Sequence, residues 1–246
     1  MANILLLDIE ATSLVADFGF MLCFGYKWLG EKKTHCVSIR HFPRGFHVDC
    51  TNDKALVKHV YELLTGKLDK PIDMIVTWYG KRYDVPFINS RLMAHRFNPL
   101  PIMTHLDLWE TARHKLKLHS NRLVSIQEFL EMQFGKTRLK PHAWVRAAAG
   151  HVPSILYVEE HCRRDVDVLE NAYMRMRPLV YPHPDVAQMN ANRQEIRIER
   201  LACPNCGELA LFKDGIRVMV SKSVQRLRCS KCGTSCQKNI IKEKRK

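Results

Sequence analysis

Asp8 and Glu10 stand one residue apart at the end of a short apolar run. Residues 3–8 read as a buried strand. Alternate residues of a strand point the same way, so the two carboxylates share one side while Ile9 turns into the core. Paired carboxylates repel unless a cation lies between them. Mg2+ suits such a pair, because it prefers hard oxygen ligands and keeps positions open for phosphate. A solvated acidic strand end has the same sequence, so the pair needs company. Two further segments supply it. Gly80 permits a tight turn after an apolar strand, and Asp84 then falls at a helix start, where it is equally suited to capping. On a later helix His161 and Asp165 are four residues apart and share a face, as a surface ion pair would.

A second chemistry lies near the C-terminus. Five of the nine cysteines fall in the last 44 residues. Cys203-Pro204-Asn205-Cys206-Gly207 and Cys229-Ser230-Lys231-Cys232-Gly233 are two C-x-x-C-G turns separated by 22 residues. Such turns aim paired thiolates at one ion, and this spacing suits a ribbon-type β-hairpin, with strands near residues 210–212 and 225–228. No histidine follows His183, so the expected site is a closed, structural zinc held by Cys203, Cys206, Cys229 and Cys232, with Cys236 spare. Cys23, Cys36, Cys50 and Cys162 lie in apolar company and read as reduced core thiols.

These residues need a scaffold. Residues 20–29 and 34–40 read as strands after the first, with short connections that suggest an antiparallel meander. A helix capped by Asn52 or Asp53 runs through Leu64, with Leu56, Val57, Val60, Leu63 and Leu64 on one face. A strand at 73–78 leads to a helix over 84–97, with Pro86 in its first turn. A strand at 101–105, a helix from Asp107 and a short helix at 125–132 follow. A long helix over 153–176 has Ile155, Val158, Glu159, Cys162, Val166 and Leu169 as its inward stripe. Asp167 falls on another face and reads as solvated. Strands first, then strands alternating with helices, predict an α/β layout. Three prolines between 178 and 184 break the last helix and read as a stiff linker.

The order Asp8-x-Glu10, Gly80-x-x-Tyr83-Asp84 and late-helix Asp165 resembles the DEDD exonuclease superfamily, the RNase H-like group that includes proofreading domains and RNA-trimming exonucleases. The segments from Met21 to Lys32, His105-Leu106-Asp107-Leu108 and Asp165-Val166-Asp167-Val168-Leu169-Glu170 are similar to one branch of predicted RNase H-like exonucleases common in phages and bacteria. The resemblance covers residues 3–184, and the C-terminal ribbon resembles that branch too. It implies an RNase H-like mixed sheet flanked by helices over 1–178, a linker over 179–200, a zinc ribbon over 201–240 and a basic tail over 241–246. It implies that Asp8, Glu10, Asp84 and Asp165 hold two Mg2+ or Mn2+ ions for hydrolysis of phosphodiesters at 3′ ends. One departure stands out. The superfamily places either Tyr four residues before the last Asp or His five residues before it, whereas here His161 sits four before Asp165. Its ordinary pKa suits a general base. Tyr157 and His151 are alternatives, and Asp107 is either a cap near the site or a participant.

The net charge is +14 with a pI near 9.5, which favours a polyanionic partner. From Ala191 onward 14 Lys or Arg stand against 5 Asp or Glu. Arg226, Arg228 and Lys231 flank the second cysteine turn, and with Lys213, Arg217 and Lys222 they suit phosphate contacts. Trp78 and Tyr83, taken as exposed aromatics, suit stacking of terminal bases in single-stranded DNA. No apolar run approaches membrane-span length and no basic leader opens the chain, so a cytoplasmic location is expected, a host's if phage-encoded. Two other readings fit: a non-catalytic nucleic-acid-binding or docking protein on a nuclease-like core, and an endonuclease of the RNase H type.

Overall fold

The computed structural model describes residues 2–132, 140–194, 202–218 and 223–239. The chain divides into two compact units: Asn3–Tyr173, and Met174–Lys246 together with Met1–Ala2.

The first unit is built on a five-stranded sheet of order β3-β2-β1-β4-β5. β1 (Ile4–Ala11), β2 (Met21–Trp28) and β3 (His35–Ser38) form the expected antiparallel meander. β4 (Met74–Thr77) and β5 (His105–Asp107) add in parallel, so the sheet is mixed. β1 is thus a central strand paired on both sides, which is why Ile4, Leu5, Leu6 and Leu7 form an unbroken apolar run and are all buried. β5 lies later than the expected 101–105, because its short ladder with β4 begins at the Ile75–His105 pair.

Helices supply the remaining layers. α1 (Pro43–Phe46) is a single turn that the periodicity is too short to reveal. α2 (Lys54–Leu64) buries the five apolar residues expected of it and packs on β2 and on α3 (Asp84–Ala94). Asp53 occupies the position before α2 without capping it. Its buried carboxylate instead accepts from Met21 N at 2.8 Å and from Arg91 Nε and Nη2 at 2.9 and 2.7 Å, with His95 Nε2 2.6 Å away. A long-range anchor between β2, α2 and α3 has replaced the local cap. α4 (Leu108–Lys115) and α5 (Leu123–Phe129) follow β5. α6 (Pro141–Ala148), opened by its proline, was not anticipated.

α7 (Val152–Met176) is the long closing helix, and its whole predicted stripe is buried. Glu159 belongs to that stripe because it is paired: Arg40 Nε and Nη2 donate to it at 2.6 and 2.9 Å, Ser38 Oγ at 2.6 Å and Arg163 Nη2 at 3.2 Å. Asp167, expected to be solvated, is half-buried and accepts from Lys27 Nζ at 2.8 Å and from Thr34. Lys27 on β2 is the partner that the sequence pattern could not place opposite it.

In the second unit α8 (Val186–Gln194) lies within the segment expected as linker. β6 (Leu211–Val218), β7 (Ser223–Cys229) and β8 (Ser235–Asn239) form a three-stranded antiparallel sheet rather than a two-stranded hairpin. Lys222, residues 195–201 of the expected linker and ribbon start, and the basic tail 241–246 lie outside the described residues.

Candidate active site and cysteine centre

Strand register assembles the first part of the site. Asp8 lies opposite Gly25 and Glu10 opposite Cys23. The rows continue to Cys36 and Ser38 of β3. Directly opposed residues share a sheet face, so both carboxylates and these small residues look the same way. α7 covers that face. Its Cys162 Sγ is 3.6 Å from the Asp8 carbonyl oxygen and 3.8 Å from Asp8 Oδ2. Gly25 makes the approach possible, since a Cβ there would lie 2.7 Å from Cys162 Sγ and 3.1 Å from Val166 Cγ2.

The same helix delivers His161 and Asp165. His161 Nε2 lies 3.8 Å from Glu10 Oε1 and 3.7 Å from Asp165 Oδ2. Glu10, His161 and Asp165 offer ligand atoms all within 4.8 Å of one another. The imidazole is buried and meets the edge of Trp144 on α6, with ring centroids 5.5 Å apart. Trp144 was not singled out in the sequence, because no spacing links it to the acids. Tyr157 also packs edge-on against Trp144, at 6.2 Å, and His151 lies at the start of α7 with Nδ1 2.9 Å from Ser154 Oγ.

Asp84 is the first residue of α3 and reaches back to β1, where its Oδ1 accepts from Ile9 N at 3.1 Å. The backbone group between Asp8 and Glu10 is thereby tied to the third acid. Asp84 does not cap its own helix, and it is buried.

The loop before Asp84 is held from β5. Asp107 caps α4 by accepting from Trp109 N at 3.0 Å, and also accepts from Tyr79 N at 2.8 Å and Lys81 N at 3.0 Å. One buried carboxylate therefore fixes the turn that aims Asp84, and Asp107 is a positioning residue here. The turn is demanding: Tyr79 has φ +69°, and a Cβ on Gly80 would lie 2.5 Å from Thr77. Thr77 Oγ1 in turn lies 2.8 Å from His105 Nε2. Burial lowers the His105 pKa to about 4, so its ring stays neutral.

The two aromatics proposed to stack bases are less exposed than expected. Trp78 is half-buried and its indole N–H donates to the Asn121 carbonyl at 3.0 Å. Tyr83 is half-buried against the core, and its hydroxyl donates to the Ser13 carbonyl at 3.2 Å. Both ring edges are committed to the loops that flank the site.

The charge state of the acids follows from their crowding. Burial raises the Asp8 pKa, and the charges of Asp84, Glu10 and Asp165 raise it further. Burial, then Asp165 and Asp84, raise Glu10. Burial lifts Asp84 to about 7 despite hydrogen bonds from the Asp84 and Ile9 backbone. Burial raises Asp165, with His161 opposing. Burial raises all four acids and neighbouring charge adds to it at Asp8 and Glu10, so the group favours protons that a hard cation would displace. An all-oxygen donor set with one adjacent imidazole fits divalent ions such as Mg2+ or Mn2+.

The cysteine centre is built by two turns of one design. Gly207 N donates to the Cys203 carbonyl and Cys203 N donates to the Glu208 carbonyl, each at 2.8 Å. Gly233 N donates to Cys229 O at 3.0 Å and Cys229 N to Thr234 O at 2.9 Å. Both glycines have positive φ, +77° and +73°, which a Cβ disfavours. Cys203, Cys206, Cys229 and Cys232 place their sulfurs within 4.8 Å of one another. The Cys203–Cys232 and Cys206–Cys229 separations are 3.7 and 3.8 Å. A tetrahedron with bonds of ~2.3 Å has edges of about 3.8 Å, so the four thiols fit a closed zinc site. Cys236 on β8 packs half-buried against this small core. Of the basic residues proposed to meet nucleic acid, Arg226 and Arg228 are exposed, while Lys231 pairs with Glu208. Arg226 Nε also donates to the Asp214 carbonyl at 2.9 Å.

Among the described residues no helix is long and apolar enough to cross a membrane. No curated protein matches the chain. Among solved structures it is similar to the family B DNA polymerase from the hyperthermophilic archaeon Pyrobaculum calidifontis, with a TM-score of 0.56 and 13% identity. That likeness covers 89% of this chain but 31% of the polymerase, and it concerns the fold. The sequence profile of the RNase H superfamily matches residues 5–177, which hold the mixed sheet and all four acids, and the chain belongs to that superfamily.

Proposed function

We propose that this chain is a metal-dependent 3′–5′ exonuclease that acts on single-stranded DNA. The observation that carries the reading is the convergence of Asp8, Glu10, Asp84 and Asp165, drawn from β1, α3 and α7, on one end of a central strand with His161 beside them. Two bound Mg2+ or Mn2+ ions would supply Lewis-acid stabilisation of the phosphoryl oxygens and a more acidic water. The four carboxylates would hold those ions. Asp84 also fixes the Ile9 amide, so β1 and α3 move as one support. His161 faces Glu10 and Asp165 through Nε2, and a water lying between these groups would pass its proton to that nitrogen. Trp144 packs edge-on against the ring in this orientation. The 3′ polarity rests on the motif order, which resembles DEDD exonucleases, and the DNA preference draws support from the likeness to a DNA polymerase fold. The cysteine centre would hold one structural zinc, and the exposed Arg226 and Arg228 would contact phosphates without reading bases.

The test is digestion of end-labelled DNA and RNA oligonucleotides with Mg2+ or Mn2+. Release of mononucleotides from unblocked 3′ ends of single-stranded DNA is expected. Cleavage within a 3′-blocked strand would instead indicate an endonuclease, and full activity of Asp8→Ala would refute the site.

A further inference from the structure

Cys23, Cys36 and Cys162 come from β2, β3 and α7, and nothing in their spacing links them. In the structure their sulfurs lie within 4.8 Å of one another. Register explains two of them: Cys36 stands opposite Gly25 and Cys23 two residues along the same face of β2. The missing side chain of Gly25 explains the third, because it opens the gap that Cys162 Sγ enters. Cys23 and Cys162 are buried, whereas Cys36 is half-exposed and gives the group one open side.

We propose that these three thiols bind one soft, thiophilic cation of the Zn2+ and Cd2+ class, distinct from the ions of the carboxylate site and from the zinc of the ribbon. Sulfurs around such an ion stand about 3.8–4.0 Å apart for bonds of ~2.3 Å, so shifts on the order of 1 Å close the present triangle. Softness separates the two neighbouring sites. Mg2+ and Mn2+ prefer the carboxylate oxygens, and thiolates prefer Zn2+ or Cd2+. Binding releases the thiol protons to solvent and ties α7 to β2 and β3 behind Asp8, whose Oδ2 is 3.8 Å from Cys162 Sγ. The site stands whether or not the chain cuts nucleic acid.

The full chain is titrated with Cd2+ and followed by thiolate-to-cadmium charge-transfer absorption. The wild type should take up two equivalents, one in the ribbon and one here, and Cys36→Ser should take up one. A second measurement avoids reliance on any variant's folding. Iodoacetamide should label Cys36 in the metal-free protein and label it at least tenfold more slowly with Cd2+ present. Cys50, equally half-exposed and outside the cluster, should react alike in both, read by peptide mass spectrometry. Saturation of the wild type at one equivalent, or alkylation of Cys36 at the same rate with and without Cd2+, overturns the proposal. Neither result bears on oligonucleotide cleavage, so failure here is separable from failure of the nuclease reading.

Discussion

At the scale of single residues, the acids of the site carry protons because they are crowded and enclosed. Asp84 shows the consequence most simply. Its folded pKa of about 7 lies above the ordinary 3.8, so the folded chain binds this proton more tightly than the unfolded chain. The stability this group contributes is complete below about pH 4 and is lost as pH rises to about 7. Thermal melts in the absence of divalent ions should show that decline, and Asp84→Asn should flatten it. Mn2+ should raise the melting temperature more at pH 8 than at pH 5, because the ion needs ionised carboxylates. Equal shifts at both values would count against metal binding here. For activity, Asp8→Ala or Asp165→Ala should lower the cleavage rate by about 1000-fold or more, which is ~4 kcal/mol of barrier. His161→Gln should lower kcat by ~100-fold or more, read in single-turnover cleavage of a labelled oligonucleotide.

Among elements, the decisive contact is α7 against β2 and β3. Gly25→Ala would force its new methyl into Cys162 and Val166, and overpacking of this kind costs roughly 1–3 kcal/mol. Glu159 locks the same helix to β3 through Ser38 and Arg40. Glu159→Ala should destabilise by about 1–3 kcal/mol in denaturant melts, because it removes the buried acceptor shared by Ser38, Arg40 and Arg163. A variant with wild-type stability would show the pair to be dispensable. Asp107 acts from β5 on the loop that carries Asp84. Asp107→Ala leaves the Tyr79, Lys81 and Trp109 amides without their acceptor, for roughly 1–3 kcal/mol, while Asp107→Asn should recover part of both stability and activity.

Over the whole molecule, two units have different sources of stability. The first has an extensive apolar core on both sides of its sheet. The second has a cluster of Cys203, Leu211, Leu227 and Cys229, too small to hold three strands alone. Strong chelation should therefore disorder the ribbon, read as collapsed amide dispersion for residues of β6–β8, while the main melting transition persists. The layout itself was largely legible. The apolar run at 3–8, the stripe of α7 and the C-x-x-C-G turns each have a period or a spacing that local physics reads directly. What failed to show were short or non-local features: α1, α6, the third ribbon strand, the late start of β5 and the pairing of Asp167 with Lys27.

The sequence alone determined which residues are chemically able to act, namely spaced acids, a histidine one turn from Asp165 and two cysteine knuckles, because residue type and local period are written along the chain. Only the tertiary structure decided their neighbours. It turned Asp53 from cap to anchor, gave Asp107 the task of holding a loop, engaged Trp78 and Tyr83 in that framework, and gathered three unrelated thiols beneath Asp8. Each of these depends on strand register or on how closely a helix approaches a sheet, and those distances are set by packing between segments that are far apart in sequence.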